Sequence, residues 1–214
     1  MKIVAISDIH GQLPEEPCPE CDILILAGDI CPERPHVQPR AEVQAEWLDT
    51  TFRKWLLDQP AKKIIATWGN HDFVGQQKIY PNDLPWTLLV DDSIMVDGFM
   101  IYCTPWVPNL GRWAFATEGD VPSYYRYNIP LETDILVSHG PPFGYCDKVL
   151  EGMNVGSETL LNRINDILPT MVICGHIHEA RGEAITAWGH KIINVASVDR
   201  GYQPYPERYT VIKL

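Results

Sequence analysis

The sequence predicts an α/β fold in which two mixed β-sheets pack face to face and helices cover the outer faces, a four-layer αββα sandwich. Short apolar runs recur along the chain, and two amphipathic helical stretches lie between them. Alternating segments joined by turn-like residues add antiparallel hairpins. Runs that are apolar throughout are typical of strands buried on both faces, and such strands need another layer against each face.

The length and composition predict one domain, residues 1–214. A chain of 214 residues with 45% hydrophobic side chains can bury a sizeable core of its own. Charged residues make up 21%, which is ordinary for a globular protein.

Five apolar runs are the predicted buried strands. They are Lys2–Ser7, Asp22–Ala27, Lys63–Trp68, Asp134–Ser138 and Met171–Cys174.

Two amphipathic helices are predicted between these strands, Arg40–Asp58 and Gly156–Leu168. The inward residues of the first are Val43, Trp47, Phe52, Trp55 and Leu56. The inward residues of the second are Leu160, Leu161, Ile164 and Leu168. Ser157 is the expected cap of the second helix, and Pro169 marks its end.

The remaining strands are predicted to be antiparallel. The first group is Thr87–Val90, Ser93–Val96 and Phe99–Cys103, and the second is Glu183–Ala187, Lys191–Val195 and Tyr209–Leu214. Gln12–Pro39 and Thr104–Pro130 are expected to be irregular, and a loop as long as the second is usually functional.

Net charge and hydropathy argue against long nucleic acids and membranes as partners of this protein. Lys and Arg number 17 against 28 Asp and Glu, a net charge of −11, so stable binding of long nucleic acid is not expected. No run approaches the ~18 apolar residues of a membrane span. The first strand begins at Lys2, which leaves no room for a signal peptide. We therefore expect a cytoplasmic protein without membrane contact.

Six cysteines are spread along the chain. Cys18 and Cys21 form a lone Cys-x-x-Cys pair. Without a second pair at zinc-site spacing, free thiols in a reducing compartment are favoured over a structural zinc.

Metal-ligand residue types follow the predicted strands. Asp8, Asp29, Asn70 and His139 each come just after a buried run. Because strand ends at one edge of an α/β sheet converge on a crevice, these side chains are expected to meet. In an extended segment residues i and i+2 point the same way, so Asp8 is expected to reach one cation with His10, and His176 with His178.

These segments together resemble a known signature. Asp8-x-His10, Gly28-Asp29, Gly69-Asn70-His71-Asp72, His139 and Gly175-His176-x-His178 look like the calcineurin-like metallophosphoesterases, over about residues 3–199. The stretches 138–142 and 175–179, with 104–106 and 194–197, resemble its small metallophosphoesterase-domain phosphodiesterase subgroup.

The resemblance implies two metal ions that share a carboxylate. One ion would be held by Asp8, His10, Asp29 and His178, and the other by Asp29, Asn70, His139 and His176, with Asp29 as the bridge. Oxygen and imidazole ligands without thiolate suit two divalent ions, Mn²⁺ first, with Fe, Zn²⁺ or Ni²⁺ as alternatives. A hydroxide between cations ~3.5–4 Å apart is then the expected nucleophile.

Two further residues of the signature are catalytic candidates. His71, beside Asn70, is expected to act as a general acid or a phosphate clamp. Asp72 either orients that imidazole or caps a helix that starts there, and the sequence leaves both roles open.

The expected function is hydrolysis of small phosphate esters, diesters such as cyclic nucleotides above all. Phosphomonoesterase and nuclease activities are the alternatives. A non-catalytic scaffold that binds proteins through its metal site is disfavoured, because the five motif histidines are all present. The expected partner is a small phosphate-ester substrate, and a homo-oligomer remains open.

Other residues are weaker candidates. Two histidines are interpreted as surface residues, His36 and His190. Three arginines are candidate phosphate contacts, Arg112, Arg126 and Arg181. Three aromatic residues are candidates for stacking on a base or aryl group, with packing as the alternative: Trp106, Phe143 and Tyr145.

Overall fold

Two β-sheets lie face to face in the computed structural model, which describes residues 1–33, 40–120 and 128–214. His36 and Arg126 lie outside the described residues. Helices pack on the outer faces of both sheets, so the predicted four-layer α/β architecture is confirmed.

The first sheet has five strands. In chain order they are β1 (Lys2–Ile6), β2 (Cys21–Ala27), β3 (Ala61–Thr67), β4 (Thr87–Leu88) and β13 (Thr210–Lys213). Their order across the sheet is β13-β1-β2-β3-β4. Neighbours from β1 to β4 are parallel, and β13 is antiparallel to β1.

The second sheet has six strands. In chain order they are β5 (Asp92–Val96), β6 (Phe99–Thr104), β9 (Ile135–Ser138), β10 (Met171–Cys174), β11 (Gly182–Ile185) and β12 (Lys191–Asn194). Their order is β11-β12-β10-β9-β6-β5, with a parallel centre and an antiparallel strand at each edge. The short strands β7 (Val107–Pro108) and β8 (Ala116–Thr117) pair in the loop after β6.

The helices match the predicted segments closely. The first segment comprises α1 (Ala41–Trp47), a π-helical turn (Leu48–Phe52) and α2 (Arg53–Leu57). Beyond β3 lies the short α3 (Phe73–Gln77), and before β10 lies α4 (Glu158–Ile167). Ser157 caps α4 as predicted, because its Oγ accepts the Leu160 N–H at 3.0 Å.

Alternation along the central strands builds three buried layers. In β1 and β2, Ile3 and Ile23 face the second sheet, whereas Val4 and Leu24 face the first helical segment. Successive strand residues point to opposite faces, so continuous apolar runs fill both layers. The third layer lies between the second sheet and α4, with Leu160 and Ile164 packed there.

Three side-chain or strand predictions were wrong. The segment at Thr87–Val90 was expected in a hairpin, but β4 pairs in parallel with β3 in the first sheet. Val43 is 50% exposed, because Ala41, Gln44 and Leu48 occupy the buried face of this helical segment. Leu168 is 62% exposed, since it ends α4 in a left-handed conformation at φ 52°.

His190 was also misplaced by the sequence analysis. Its side chain is buried, and its Nδ1 lies 3.1 Å from the Pro169 carbonyl oxygen. The His190 imidazole, at the end of the turn between β11 and β12, therefore packs against the residue that follows Leu168 rather than projecting into solvent.

Gly75 is a position where a single methyl group is expected to destabilise the fold. A Cβ there would overlap the indole of Trp68, which is fully buried. Overpacking a dense core costs about 1–3 kcal/mol, so we expect Gly75→Ala to lower the free energy of unfolding by about that much. Urea unfolding measures it, with Gly201→Ala as the control because a Cβ there would meet only Asp199 Oδ1, at 3.3 Å, among the described residues. Equal stability of both variants would contradict the expectation.

Candidate metal centre

The carboxyl ends of β1, β2, β3, β9 and β10 carry the predicted ligands to one edge of the two sheets. The sheets join at this edge, where Ser7 and Ala196 form a parallel bridge. Four residues there adopt a left-handed backbone: Asp8, His10, Asp29 and His176, with φ of 54°, 48°, 51° and 67°. Asp and His tolerate this region better than most residue types, and such strain gathers at functional sites.

Three groups of side chains bring ligand atoms within 4.8 Å of one another. The first is Asp8, His10 and His178, the second is Asp29, His139 and His176, and the third is His10, Asp29 and His71. Asn70 joins the second group, since its Oδ1 lies 3.0 Å from His139 Nε2. All seven residues predicted as metal ligands therefore converge at this edge.

His176 and His178 belong to different groups. Their spacing predicts that both bind one cation, and the structure contradicts this prediction. The prediction requires an extended backbone, but His176 is left-handed and a 3₁₀ turn begins at His178. His178 Nε2 instead lies 3.3 Å from Asp8 Oδ1 and 3.2 Å from His10 Nε2. His176 and His178 thus lie in the two groups that the family resemblance assigns to different ions.

Asp29 lies between the groups. Its Oδ2 is 3.3 Å from His139 Nε2 and 3.9 Å from both His10 Nε2 and His71 Nε2. Its Oδ1 accepts the His71 backbone N–H at 2.7 Å. Because this buried carboxylate contacts members of each group, it is placed to serve both halves of a two-ion site.

The outer nitrogens of two imidazoles are fixed by backbone oxygens. His139 Nδ1 donates to Ala27 O at 3.0 Å, and His178 Nδ1 donates to Asp199 O at 3.1 Å. A carbonyl only accepts, so each ring carries a proton on Nδ1 and turns Nε2 towards the carboxylates. Such outer contacts orient metal-binding histidines, so the donor set fits two divalent ions.

Burial and charge set the protonation of the ligands in the metal-free protein. Burial opposes ionisation of Asp8, but the hydrogen bond and charge of His178 outweigh it and lower its pKa to about 2. The pKa of Asp29 is likewise lowered against burial, chiefly by the charge of His139. Burial dominates at His10 and His176 and lowers their pKa to about 4 and about 3. The site thus holds ionised carboxylates beside two neutral imidazoles at neutral pH.

Metal binding is expected to displace a proton from His139. Burial disfavours its imidazolium, but the charge of Asp29 outweighs burial and raises the pKa of His139 to about 9. Metal must replace the Nε2 proton below that pH, so Mn²⁺ affinity should rise about tenfold per pH unit between pH 7 and 9 and then level off. Calorimetry in two buffers of different ionisation enthalpy measures the released proton. Affinity that is independent of pH in this range would contradict the assignment.

Two glycines let the ligand loops approach closely. A Cβ on Gly69 would overlap Asp29 and His139, and a Cβ on Gly175 would overlap Ser7 and Asp8. The glycines of the motif therefore have a steric role in bringing the ligands together.

Asp72 has neither of the side-chain roles considered from the sequence. Its carboxylate accepts backbone N–H groups from Ile30, Cys31 and Gly69 at 2.8–3.3 Å. It stands before α3 but makes no side-chain cap. Burial and the charge of Asp29 raise its pKa to about 6. Asp72 thus fastens the loops after β2 and β3 to each other.

Glu33, which the sequence analysis missed, contacts the His71 imidazole instead. Its carboxylate pairs with His71 Nδ1 and lies 3.6 Å from His10 Nδ1. His71 Nε2 faces Asp29, so the ring is held with one nitrogen outward and one towards the ligands. Burial disfavours the charged ring, but the carboxylates of Asp29 and Glu33 raise the pKa of His71. The only sequence signal was an acidic residue four positions after Asp29.

Glu33→Gln is expected to lower kcat for phosphate esters with poor leaving groups about 10- to 100-fold while both metals stay bound, since outer contacts of this kind have effects of that size. Glu33→Asp should recover part of the loss. Steady-state kinetics and metal analysis measure both quantities. Glu183→Gln is the matched control, because this glutamate pairs with Lys191 at an exposed edge. Unchanged kcat in Glu33→Gln would contradict the role of the contact.

Two aromatic side chains also lie at this site, Trp113 beside His71 and Tyr202 beside the ligands His10 and His178. Trp106, one of the aromatic residues chosen from the sequence, has other partners. Trp106 donates Nε1–H to Asp91 and packs on Phe115.

Arg181 is engaged with the backbone oxygens of Ala196 and Glu207 rather than turned to the ligands. Among the helices of the described residues, none is long and apolar enough to cross a membrane.

The comparison with known families gives the same result as the geometry. The model of the calcineurin-like phosphoesterase family matches residues 1–180. The chain belongs to the calcineurin-like phosphoesterase family. This family is dinuclear and metal-dependent and acts on phosphate esters, which agrees with the convergent ligands of this chain.

Relatives resemble almost the whole of this family member. Metallophosphoesterase domain-containing protein 1 of Homo sapiens is 28% identical over 235 residues, covering 95% of this chain and 68% of its own length. The UPF0046 protein K07C11.7 of Caenorhabditis elegans is 26% identical, covering 95% and 72%. The first of these names agrees with the subgroup resemblance.

Solved structures share the fold at low identity. TT1561 of Thermus thermophilus aligns with a TM-score of 0.58 and 12% identity, covering 91% of this chain and 88% of its own. GAP50, named as the anchor in the inner membrane complex of Plasmodium, aligns at 0.51 and 10%, covering 92% and 71%.

Proposed function

We propose that this calcineurin-like phosphoesterase hydrolyses small phosphodiesters with two divalent ions, Mn²⁺ above all. The observation that carries the proposal is the position of Asp29, a buried carboxylate between two groups of ligands with His71 beside it. The ligands would be Asp8, His10, Asp29 and His178 for one ion, and Asp29, Asn70, His139 and His176 for the other.

The donor chemistry supports the choice of metal. Carboxylate, amide and imidazole donors suit Mn²⁺, Fe, Zn²⁺ or Ni²⁺, and the ligand set includes no thiolate. When bound, two adjacent ions activate water at neutral pH and neutralise charge on the phosphate oxygens.

The protein side chains would supply the proton for the leaving group and keep the site in its geometry. His71 turns Nε2 towards the ligand groups, and its Nδ1 pairs with the Glu33 carboxylate. In this position it can give a proton to the departing alkoxide, which otherwise leaves with a full negative charge. Ser197, whose Oγ donates to the Asp8 backbone oxygen, and Asp72 keep the surrounding loops in place.

The preference for diesters is supported by the subgroup resemblance and by the rim of the site. A diester has a second organic substituent that must lie beside the ions. The ring of Trp113 lies against His71 and that of Tyr202 against His10, and the two rings offer a surface for it.

The preference is tested by comparing bis(p-nitrophenyl) phosphate with p-nitrophenyl phosphate on Mn²⁺-loaded protein. We expect kcat/KM to be at least about tenfold higher for the diester. A higher value for the monoester would replace the proposal with a phosphomonoesterase.

A second candidate function is a binding scaffold. The similarity to GAP50, which is named as an anchor, favours it. Two bound ions without turnover of any phosphate ester, together with a stable protein partner, would support the scaffold.

We also propose that the protein acts in the cytoplasm on small substrates, without binding membranes or long nucleic acid. Its net charge of −11 supports the exclusion of nucleic acid.

A further inference from the structure

Trp113 packs on the imidazole of His71. The two ring centroids are 4.2 Å apart with their planes 37° apart, and Phe73 lies 6.0 Å away on the same indole. The loop that carries Trp113 is fixed to the ligand region, because Ala114 donates its backbone N–H to the backbone oxygen of Asn70 at 3.0 Å. The indole is only partly buried, so part of its surface faces solvent at the rim.

Tyr202 occupies a corresponding position beside two of the ligands. Its ring centroid is 4.9 Å from that of His10 and 5.2 Å from that of His178, and the residue remains 37% exposed. Its backbone N–H donates to the Asp199 oxygen, which also accepts from His178 Nδ1. The turn that carries Tyr202 is thus tied to a ligand, as the Trp113 loop is tied to Asn70.

The two rings are linked through the site. His10 and His71 are edge to face with centroids 4.8 Å apart, so Trp113, His71, His10 and Tyr202 form a continuous row of aromatic contacts. Neither Trp113 nor Tyr202 belongs to the signature of ligands and catalytic residues. Partly exposed aromatic faces beside a reactive centre can stack on flat rings of any composition.

We propose that Trp113 and Tyr202 form an aromatic rim that selects phosphate esters carrying a planar aromatic substituent, such as an aryl group or a nucleobase. The inference rests on the proposed function and names the residues that determine its substrate class. The rim would act on binding of the substituent and leave the bond-breaking step to the ions and His71.

Equilibrium binding tests the rim without turnover. Phenylphosphonate and cyclohexylphosphonate have the same ligand for the ions and rings of similar size, but only the first ring is planar. We expect Mn²⁺-loaded wild-type protein to bind phenylphosphonate at least about fivefold more tightly, as measured by calorimetry, which is the low end for stacking on an aromatic side chain.

Variants assign the preference to the two residues. Trp113→Leu and Tyr202→Leu should each reduce the phenyl-to-cyclohexyl ratio severalfold, whereas Trp113→Phe and Tyr202→Phe keep a planar ring and should retain most of it. Trp188→Leu is the control, because this tryptophan is 73% exposed in the turn between β11 and β12. Metal content is measured for each protein.

The outcomes separate this inference from the proposed function. Equal binding of the two phosphonates, or an unchanged ratio in both leucine variants, would overturn the rim while hydrolysis of bis(p-nitrophenyl) phosphate still stood. Failure of both phosphonates to bind, together with no hydrolysis, would overturn the proposed function and the rim with it.

Discussion

Asp29→Asn is expected to abolish phosphodiester hydrolysis. The carboxylate lies between two groups of ligands, so an amide there removes the negative charge that both ions would share. Two-ion stabilisation of the reaction is worth several kcal/mol, and we expect kcat/KM to fall by about 1,000-fold or more. Hydrolysis of bis(p-nitrophenyl) phosphate measures the loss, and metal analysis measures the ions retained per chain.

Asparagine at position 29 removes the negative charge without adding backbone strain. Asp29 has φ 51°, a region that asparagine tolerates, and the amide oxygen can still accept the His71 N–H. Asp97→Asn is a matched control, since Asp97 has φ 50° in the exposed turn between β5 and β6. Near-normal hydrolysis by Asp29→Asn would refute a shared carboxylate at the centre of the site.

His71→Ala is expected to retain both ions and lose much of kcat. General acid catalysis contributes about 10²- to 10⁴-fold, so the loss should be in that range for alkyl esters, whose leaving group needs a proton. The loss should be much smaller for p-nitrophenyl esters, because nitrophenolate leaves readily as an anion. Kinetics over a series of leaving groups measures the trend.

A histidine outside the site provides the comparison. His190→Gln alters a buried imidazole in the turn between β11 and β12 that contacts Pro169, and it should leave the dependence on the leaving group unchanged. Equal losses for good and poor leaving groups in His71→Ala would show that His71 binds phosphate rather than donating a proton.

The central strands were predictable because burial on both faces leaves a continuous apolar run. Ile23, Leu24, Ile25 and Leu26 alternate between the two sides of the first sheet, so neither face has room for polar residues. The seven expected ligands lie in segments that follow buried strands. Because the ends of these strands meet at one edge of the sheets, the ligands could be placed there from the sequence. Such features depend on local sequence and on sheet geometry.

Features that depend on the path of loops were not predictable. Glu33, Trp113 and Tyr202 reach the site from segments without periodicity, and their positions follow from tertiary contacts. The separation of His176 from His178 depends on a left-handed backbone that the residue spacing does not reveal. The exposure of Val43 depends in the same way on tertiary contacts, because the polar Gln44 takes the buried face and hydrogen-bonds the backbone of His71 and Val74.

The most direct test of the two-ion account is the number of ions needed for turnover. Metal-stripped protein would be titrated with Mn²⁺ while bound metal per chain and hydrolysis of bis(p-nitrophenyl) phosphate are measured on the same samples. The account predicts that hydrolysis rises with the second ion bound and is complete at two ions per chain. Full activity with one ion, or no turnover with two ions bound, would contradict it.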